Sequence, residues 1–314
     1  MKTGLALLVA ILFALSLLAG KVWLPPSEFF RDGPAAWIVI DLRLPRAILA
    51  LFIGAGLGLS GAVLQGYLRN PLADPSVVGI SSTAALGAVT AIFLGAAVSP
   101  AVVFGSAMAG AAFAVLLLVT MGGRQSSPLA FILAGTVLSS LSGALTAFLI
   151  SIAPNPFATS EIISWLMGAL TDRSLEDTMR AVPLIAVGMA LLLTVGRSLD
   201  ALTLGEDAAR SLGIDMRWLQ AIIVLGLCLT VGASVAVSGV VGFVGLIVPH
   251  IVRRFVGEKP SAILLPSALG GAALVLAADS LVRLTPGAGE VRLGIAMALI
   301  GAPFFFVLLS RMKL

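Results

Sequence analysis

The chain has 314 residues, 59% of them hydrophobic and 11% charged, with a formal net charge of +4 and a mean hydropathy of +1.13. An ordinary soluble domain carries about 25% charged residues, so this composition excludes a globule covered by a water-facing surface. The arginines are scattered among loops and leave no nucleic-acid footprint.

Long apolar runs recur along the chain, continuous rather than alternating. A helix needs roughly 20 apolar residues to cross the hydrocarbon core, and in lipid only helices or closed barrels satisfy the backbone. The unbroken runs argue for helices. The fold class predicted is an all-α, multi-pass membrane protein in one domain, 1–314. About ten spans are expected, at roughly 3–22, 46–67, 77–97, 101–120, 129–151, 180–199, 218–238, 241–256, 261–282 and 292–310.

The first run, MKTGLALLVAILFALSLLAG, has the basic head of a signal peptide. No A-x-A-like site follows, and Lys21 stands where a lipoprotein would need Cys. It reads as an uncleaved first helix. The second span carries a small-xxx-small pair, Gly54 and Gly58, and GASVA at 232–236 is similar, both suited to close helix packing. After it comes RNPLADP, residues 69–75, whose two prolines stiffen a turn and steer the residue before each away from helix. The eighth span is short and interrupted by Gly239, Gly242 and Gly245, as a half-helix after a break would be. SGAV at 60–63 and SGVV at 238–241 form a faint inverted echo. Pro303 is expected to kink the last helix.

With both termini cytoplasmic, eleven Lys and Arg fall inside and eight outside, a weak positive-inside bias. The outside arginines include Arg43, Arg46 and Arg283. Arginine at a helix end can snorkel to headgroups, and its bidentate fork also suits the carboxylates of a partner.

No G-x-x-x-x-G-K-[ST] phosphate cradle occurs, so the chain should not hydrolyse ATP by itself. The span centres are almost free of the ionisable groups an ion-coupled carrier keeps there. Asp279 and Arg283 read as an i, i+4 pair at a helix end rather than a proton relay. His250, the one histidine, reads as a hydrogen-bonded interface residue, and Cys228, the one cysteine, lies in an apolar run. The chain resembles a passage without an engine, so a partner must supply the energy. The longest polar inside loop, 198–218, offers a docking site. Leu204, Ala208 and Leu212 fall on one face of a short amphipathic helix, Glu206 and Arg210 form an i, i+4 pair, and Gly213 suits the helix end.

These motifs resemble the permease subunits of binding-protein-dependent ABC importers for ferric siderophores, haem and cobalamin, the FecCD-type or vitamin B12 permease family. The resemblance runs from about residue 43 to 311 through RLPR (43–46), SGAVLQ (60–65), RNPLADPSVVGIS (69–81), ISWLMGAL (163–170), LTLGEDAARSLGID (202–215), SGVVGFVGLIVPHIVR (238–253) and ALIGAPFF (298–305). It implies a type II homodimer of ten-helix subunits in the cell (inner) membrane, with two ATP-binding cassette subunits inside and an extracytoplasmic binding protein outside. ATP is then used by the partner, and the chain needs no cofactor of its own. The loop matching Leu204, Gly205, Glu206, Ala208, Ala209, Arg210, Leu212 and Gly213 would couple to the ATPase. Residues matching Asn70, Pro71 and Leu72 would form a cytoplasmic gate, with Ser126 and Ser127 in a second layer. Arg43, Arg46 and Arg283 would receive acidic residues of the binding protein. A ferric siderophore is the first expectation for the substrate, with cobalamin and haem behind it, and a stand-alone secondary carrier is the rival reading.

Overall fold

The structure, a computed structural model, describes residues 1–20, 33–121, 128–285 and 289–311, and its regular elements there are all helical. In chain order these are α1 (Lys2–Leu18), α2 (Ile38–Tyr67), α3 (Ile80–Phe93), α4 (Pro100–Met121), α5 (Pro128–Ser151), α6 (Pro156–Leu166) and α7 (Leu175–Thr194). Then follow α8 (Gly196–Leu202), α9 (Glu206–Ser211), α10 (Met216–Ser238), α11 (Val244–Val256), α12 (Pro260–Arg283) and α13 (Leu293–Arg311). Among the described residues six helices are long and apolar enough to cross a membrane: α2, α4, α5, α7, α10 and α12. The apolar helices α1 and α3 and the apolar part of α13 are shorter. Each expected span overlaps a helix. Helix α6 was not expected; Asn155 caps its N-terminus by accepting from the Ala158 N–H at 2.9 Å, a job its short carbonyl suits.

Two glycine-dependent contacts set the register of the core. A methyl group at Gly54 would lie 2.4 Å from the Gly271 carbonyl, and one at Gly58 would lie 2.3 Å from the Ser267 carbonyl. A step of four up α2 matches a step of four down α12, so the two helices are antiparallel and backbone-close. This is the packing that small residues permit where lipid removes the hydrophobic drive between helices. Helices α3 and α4 repeat it, with Gly87 against the Ser106 carbonyl at 2.1 Å and Gly110 against that of Thr83 at 2.2 Å. In α10, GASVA places Gly232 against the Ala111 methyl of α4 at 2.8 Å.

Helix α2 begins with a π turn, Ile38–Arg43, just before Pro45. Proline has no N–H to donate back along the helix, so the regular ladder cannot run through this point. The break expected in the eighth span lies at 239–243, where Gly239 and Phe243 take φ of 71° and 67°. Gly239 is obligatory there, because a side chain would strike the Trp165 carbonyl at 2.2 Å. Gly242 belongs to the break, whereas Gly245 lies inside α11. Pro303 lies within α13.

Candidate functional site

The 30 residues of α2 give it a length of about 45 Å at the usual helical rise. Its two ends carry two separate sets of polar groups.

At the starting end, two arginines converge on one buried acid and a third lies beside them. Arg46 Nε donates to both carboxylate oxygens of Asp279, at 3.0 and 3.1 Å, and its Nη1 reaches Glu290 at 2.8 Å. Arg283 Nη2 also donates to Asp279, and its Nη1 donates to the Ser16 carbonyl at 2.9 Å. Arg43 Nη1 donates to the carbonyls of Leu17 and Leu18, at 2.9 and 2.7 Å. Those carbonyls are the free acceptors at the end of α1, where the helix dipole favours a cation. Asp279 is 0% exposed, and Arg43, Arg46 and Arg283 are 7%, 8% and 4% exposed. All three guanidinium groups of the expected docking arginines lie beneath the surface and tie α1, α2 and α12 together. A buried guanidinium must be paired: Asp279 pairs Arg283 within α12 and Arg46 from a helix remote in sequence. Glu290 closes the cluster and also accepts from the Thr171 hydroxyl at 3.2 Å. Burial would raise its carboxyl, but Arg46, the Thr171 hydroxyl and Arg283 outweigh burial and hold it below the usual carboxylate range.

Beside this cluster is a feature that sequence reading missed. Arg173 and Arg292 line one cavity of about 470 Å³ with Ser164 and Trp165. Arg292 donates to Ser164, whereas the buried Arg173 Nε has no partner among the described residues. Their meeting requires α6, which the sequence pattern did not reveal.

At the far end of α2 lies RNPLADP. Arg69 takes a left-handed φ of 48°, and the Asn70 side chain accepts from the Leu72 N–H at 2.9 Å, an Asx turn. Asp74 accepts from the Ser76 N–H at 3.0 Å and so starts the short helix Pro75–Val78. Burial raises the Asp74 carboxyl above its usual range, against hydrogen bonds from Ser76 and the Leu246 N–H. The buried Gln65 Nε2 donates to the carbonyls of Ala73 and Gly245, both at 3.3 Å. A methyl on Gly245 would strike the Pro75 ring at 2.6 Å. The loop is therefore seated on the first turn of α11 rather than hanging free. Asn70 and Pro71 are exposed and Leu72 is half-buried. Ser126 and Ser127 lie outside the described residues.

The loop expected to couple to the ATPase stands at this same end. Arg69 Nη2 lies 3.8 Å from Glu206 of α9, and Arg210 Nη2 lies 3.9 Å from the same carboxylate. The expected i, i+4 pair is thus present and shared with the RNPLADP loop. The expected helix is shorter than the apolar pattern implied: it covers Glu206–Ser211, preceded by Gly205 at φ 104° and closed by Leu212 as its C-cap. Gly213 follows at φ 85°, as a helix terminus needs. Leu204 and Leu212 flank the helix instead of lying on its face, at 69% and 63% exposed, while Ala209 is buried and Ala208 half-buried.

The Nδ1 of His250 is buried without a hydrogen-bond partner among the described residues, and its ring meets Phe304 edge-on at 6.0 Å. Asp279 and Arg283 do pair, but in the middle of the cluster described above.

A family model of the FecCD transport family matches residues 7–311. The chain belongs to that family. It is 42% identical over 288 residues to the cobalamin import system permease protein BtuC of Halobacterium salinarum, covering 90% of this chain and 76% of the relative. It is 38% identical to the vitamin B12 import system permease protein BtuC of Vibrio cholerae, covering 98% of this chain and 92% of that one. A metal-chelate type ABC transporter solved in an inward-facing conformation superposes with a TM-score of 0.90 at 34% identity, over 99% of both chains. PsaBC from Streptococcus pneumoniae shares the fold at a TM-score of 0.54 and 19% identity, over 83% of this chain and 88% of that one. The FecCD chain described here is thus a multi-pass membrane protein and the permease subunit of an ABC importer.

Proposed function

We propose that this permease moves cobalamin into the cytoplasm by alternating access, as one of two identical subunits driven by two ATP-binding cassette partners. The substrate reading moves from ferric siderophore to cobalamin because curated relatives at 42% and 38% identity are cobalamin permeases. The subunit is a single transmembrane domain, 1–314, crossing ten times, with both termini and the RNPLADP end cytoplasmic. Only 17% of the apolar window of α5 is buried within its own chain, against 78% for α2. That leaves α5 free to face lipid, a second copy and the path between copies.

One observation carries the mechanism: Glu206 of the coupling helix sits against Arg69 of the gate loop. A partner ATPase that grips Leu204 and Leu212 would move α9. The Arg69–Glu206 contact would pass that displacement to Asn70, Pro71 and Leu72, which close the path with Ser126 and Ser127. At the other end, three arginines face two acids, leaving a net positive field. Arg43, Arg46 and Arg283 would attract an acidic binding protein through that field rather than by direct contact. The cluster also fixes the surface on which the protein lands.

The test is gentle purification of the tagged chain from its native membrane, followed by mass spectrometry of what accompanies it. A stoichiometric ATPase together with a binding protein loaded with cobalamin is the expected result. A homomer without an ATPase would put the secondary carrier first, and a binding protein loaded with an iron chelate would restore the siderophore.

A further inference from the structure

At the RNPLADP end a cavity of about 760 Å³ opens between the gate loop, the end of α11, the start of α12 and the end of α13. His250, Arg253 and Arg254 line it from α11, at the i, i+3, i+4 spacing that places side chains on one side of a helix. Arg69 and Asn70 line it from the gate loop, and Glu258 is the acid in its wall. Arg253 is half-buried, and neither Arg253 nor Arg254 donates a hydrogen bond to any described residue; Glu258 acts on Arg253 only through its charge. The buried Nδ1 of His250 is likewise unpartnered. A guanidinium carries five N–H donors and no acceptor, and here the donors of Arg253 and Arg254 face the open cavity with no protein acceptor among the described residues. The cavity therefore presents a set of unanswered donors with the planar forks that match phosphate oxygens.

We infer that this cavity is a binding site for a phosphate-type anion, held by Arg253 and Arg254 with His250 and the gate-loop Arg69 at its edge. Leu308 and Pro260 supply apolar wall beside the basic groups, the combination that suits a phospholipid headgroup and the top of its acyl chain; a soluble phosphate would use the basic groups alone. A bound phosphate would bridge the gate loop to α11, the two elements that Gln65 already joins. The ligand class follows from the cavity alone and is independent of the substrate and of which membrane face this end occupies.

The experiment uses the intact transporter with its partner subunits, reconstituted in nanodiscs of phosphatidylcholine with phosphatidylglycerol. Native mass spectrometry counts the anionic lipid retained by wild type and by Arg253→Gln/Arg254→Gln. Arg254→Gln alone, at an exposed position, guards against misfolding of the double variant. The exposed Arg197→Gln controls for general loss of charge. In a second arm, nanodiscs of phosphatidylcholine alone are titrated with inorganic phosphate and followed by thermal shift. Retention of the lipid, or a phosphate-dependent rise in melting temperature, is expected in wild type and Arg197→Gln. Binding should be about tenfold weaker for each cavity arginine removed. Retention of the lipid identifies a headgroup as the source, and the phosphate response identifies a soluble ester. Equal behaviour of wild type and cavity variants in both arms would overturn the site. Release of the ATPase by the variants would overturn it too, by making the partner's acidic face the occupant.

Discussion

Arg46 Nη2 lies 2.9 Å from Asp279 Oδ1, joining two residues 233 positions apart in the chain. The same carboxylate receives Arg283, so one fully buried acid balances two buried guanidinium groups. Removing one partner of a buried ion cluster leaves the others charged and unsatisfied, at a cost of about 3–5 kcal/mol. Asp279→Asn should therefore lower the detergent melting temperature sharply. Melting as in wild type would mean that water or backbone carbonyls already satisfy the arginines.

Glu290 gives this cluster a pH dependence of known sign. Its folded-state carboxyl lies below the usual 4.5 despite burial, chiefly through Arg46. Its contribution is therefore complete above the unfolded value and is lost as pH falls through the depressed one. Glu290→Gln should be less stable than wild type at pH 7, with the gap closing in acid below about pH 4. A gap of the same size at both pH values would exclude ionisation as its origin.

Gly61 tests the close packing. A methyl group there would sit 2.0 Å from the Gly245 carbonyl, whereas one at Gly143 on α5 would meet nothing within 4 Å. Gly61→Ala should cost about 1–3 kcal/mol or more as α2 and α11 separate, and Gly143→Ala should be nearly neutral in the isolated subunit. Equal melting of the two variants would show that α11 shifts freely.

Leu72 tests the gate. Leu72→Ala should raise passive cobalamin leak through the reconstituted transporter without ATP and leave its melting temperature almost unchanged, since the side chain is half-buried. Liposome efflux reads the leak directly. A tight vesicle would return RNPLADP to the role of a turn seated on α11.

Leu204 and Leu212 test the coupling surface. Both are strongly exposed apolar groups, and such groups cost little to replace unless a partner covers them. Leu204→Asp/Leu212→Asp should leave the subunit folded but strip the ATPase during purification. An intact complex would move the contact face elsewhere on the loop. Arg69→Gln should retain the ATPase yet uncouple its ATP hydrolysis from uptake, and unchanged coupling would remove the Arg69–Glu206 contact from the mechanism.

The sequence by itself determined the class of the molecule. Continuous apolar runs with 11% charge admit only membrane helices, and prolines and glycines placed most of their ends, because both effects are local in the chain. The RNPLADP turn and the helix closed by Gly213 were legible for the same reason, as capping and turn chemistry act within a few residues. Helix α6 escaped because eleven residues headed by Pro156 carry too short an apolar pattern to stand out. What only the tertiary structure decided were the relations between remote residues. Arg46 looked like a surface arginine because nothing near it in sequence announces Asp279; only the antiparallel fit of α2 on α12 brings the two together. The seat of RNPLADP on α11 and its contact with Glu206 have the same origin. Hydrophobic patterning says which segments enter the membrane, but when lipid and protein are equally apolar it cannot say which helix faces which. Glycine contacts and buried ion pairs make that choice, and they exist only once the helices have met.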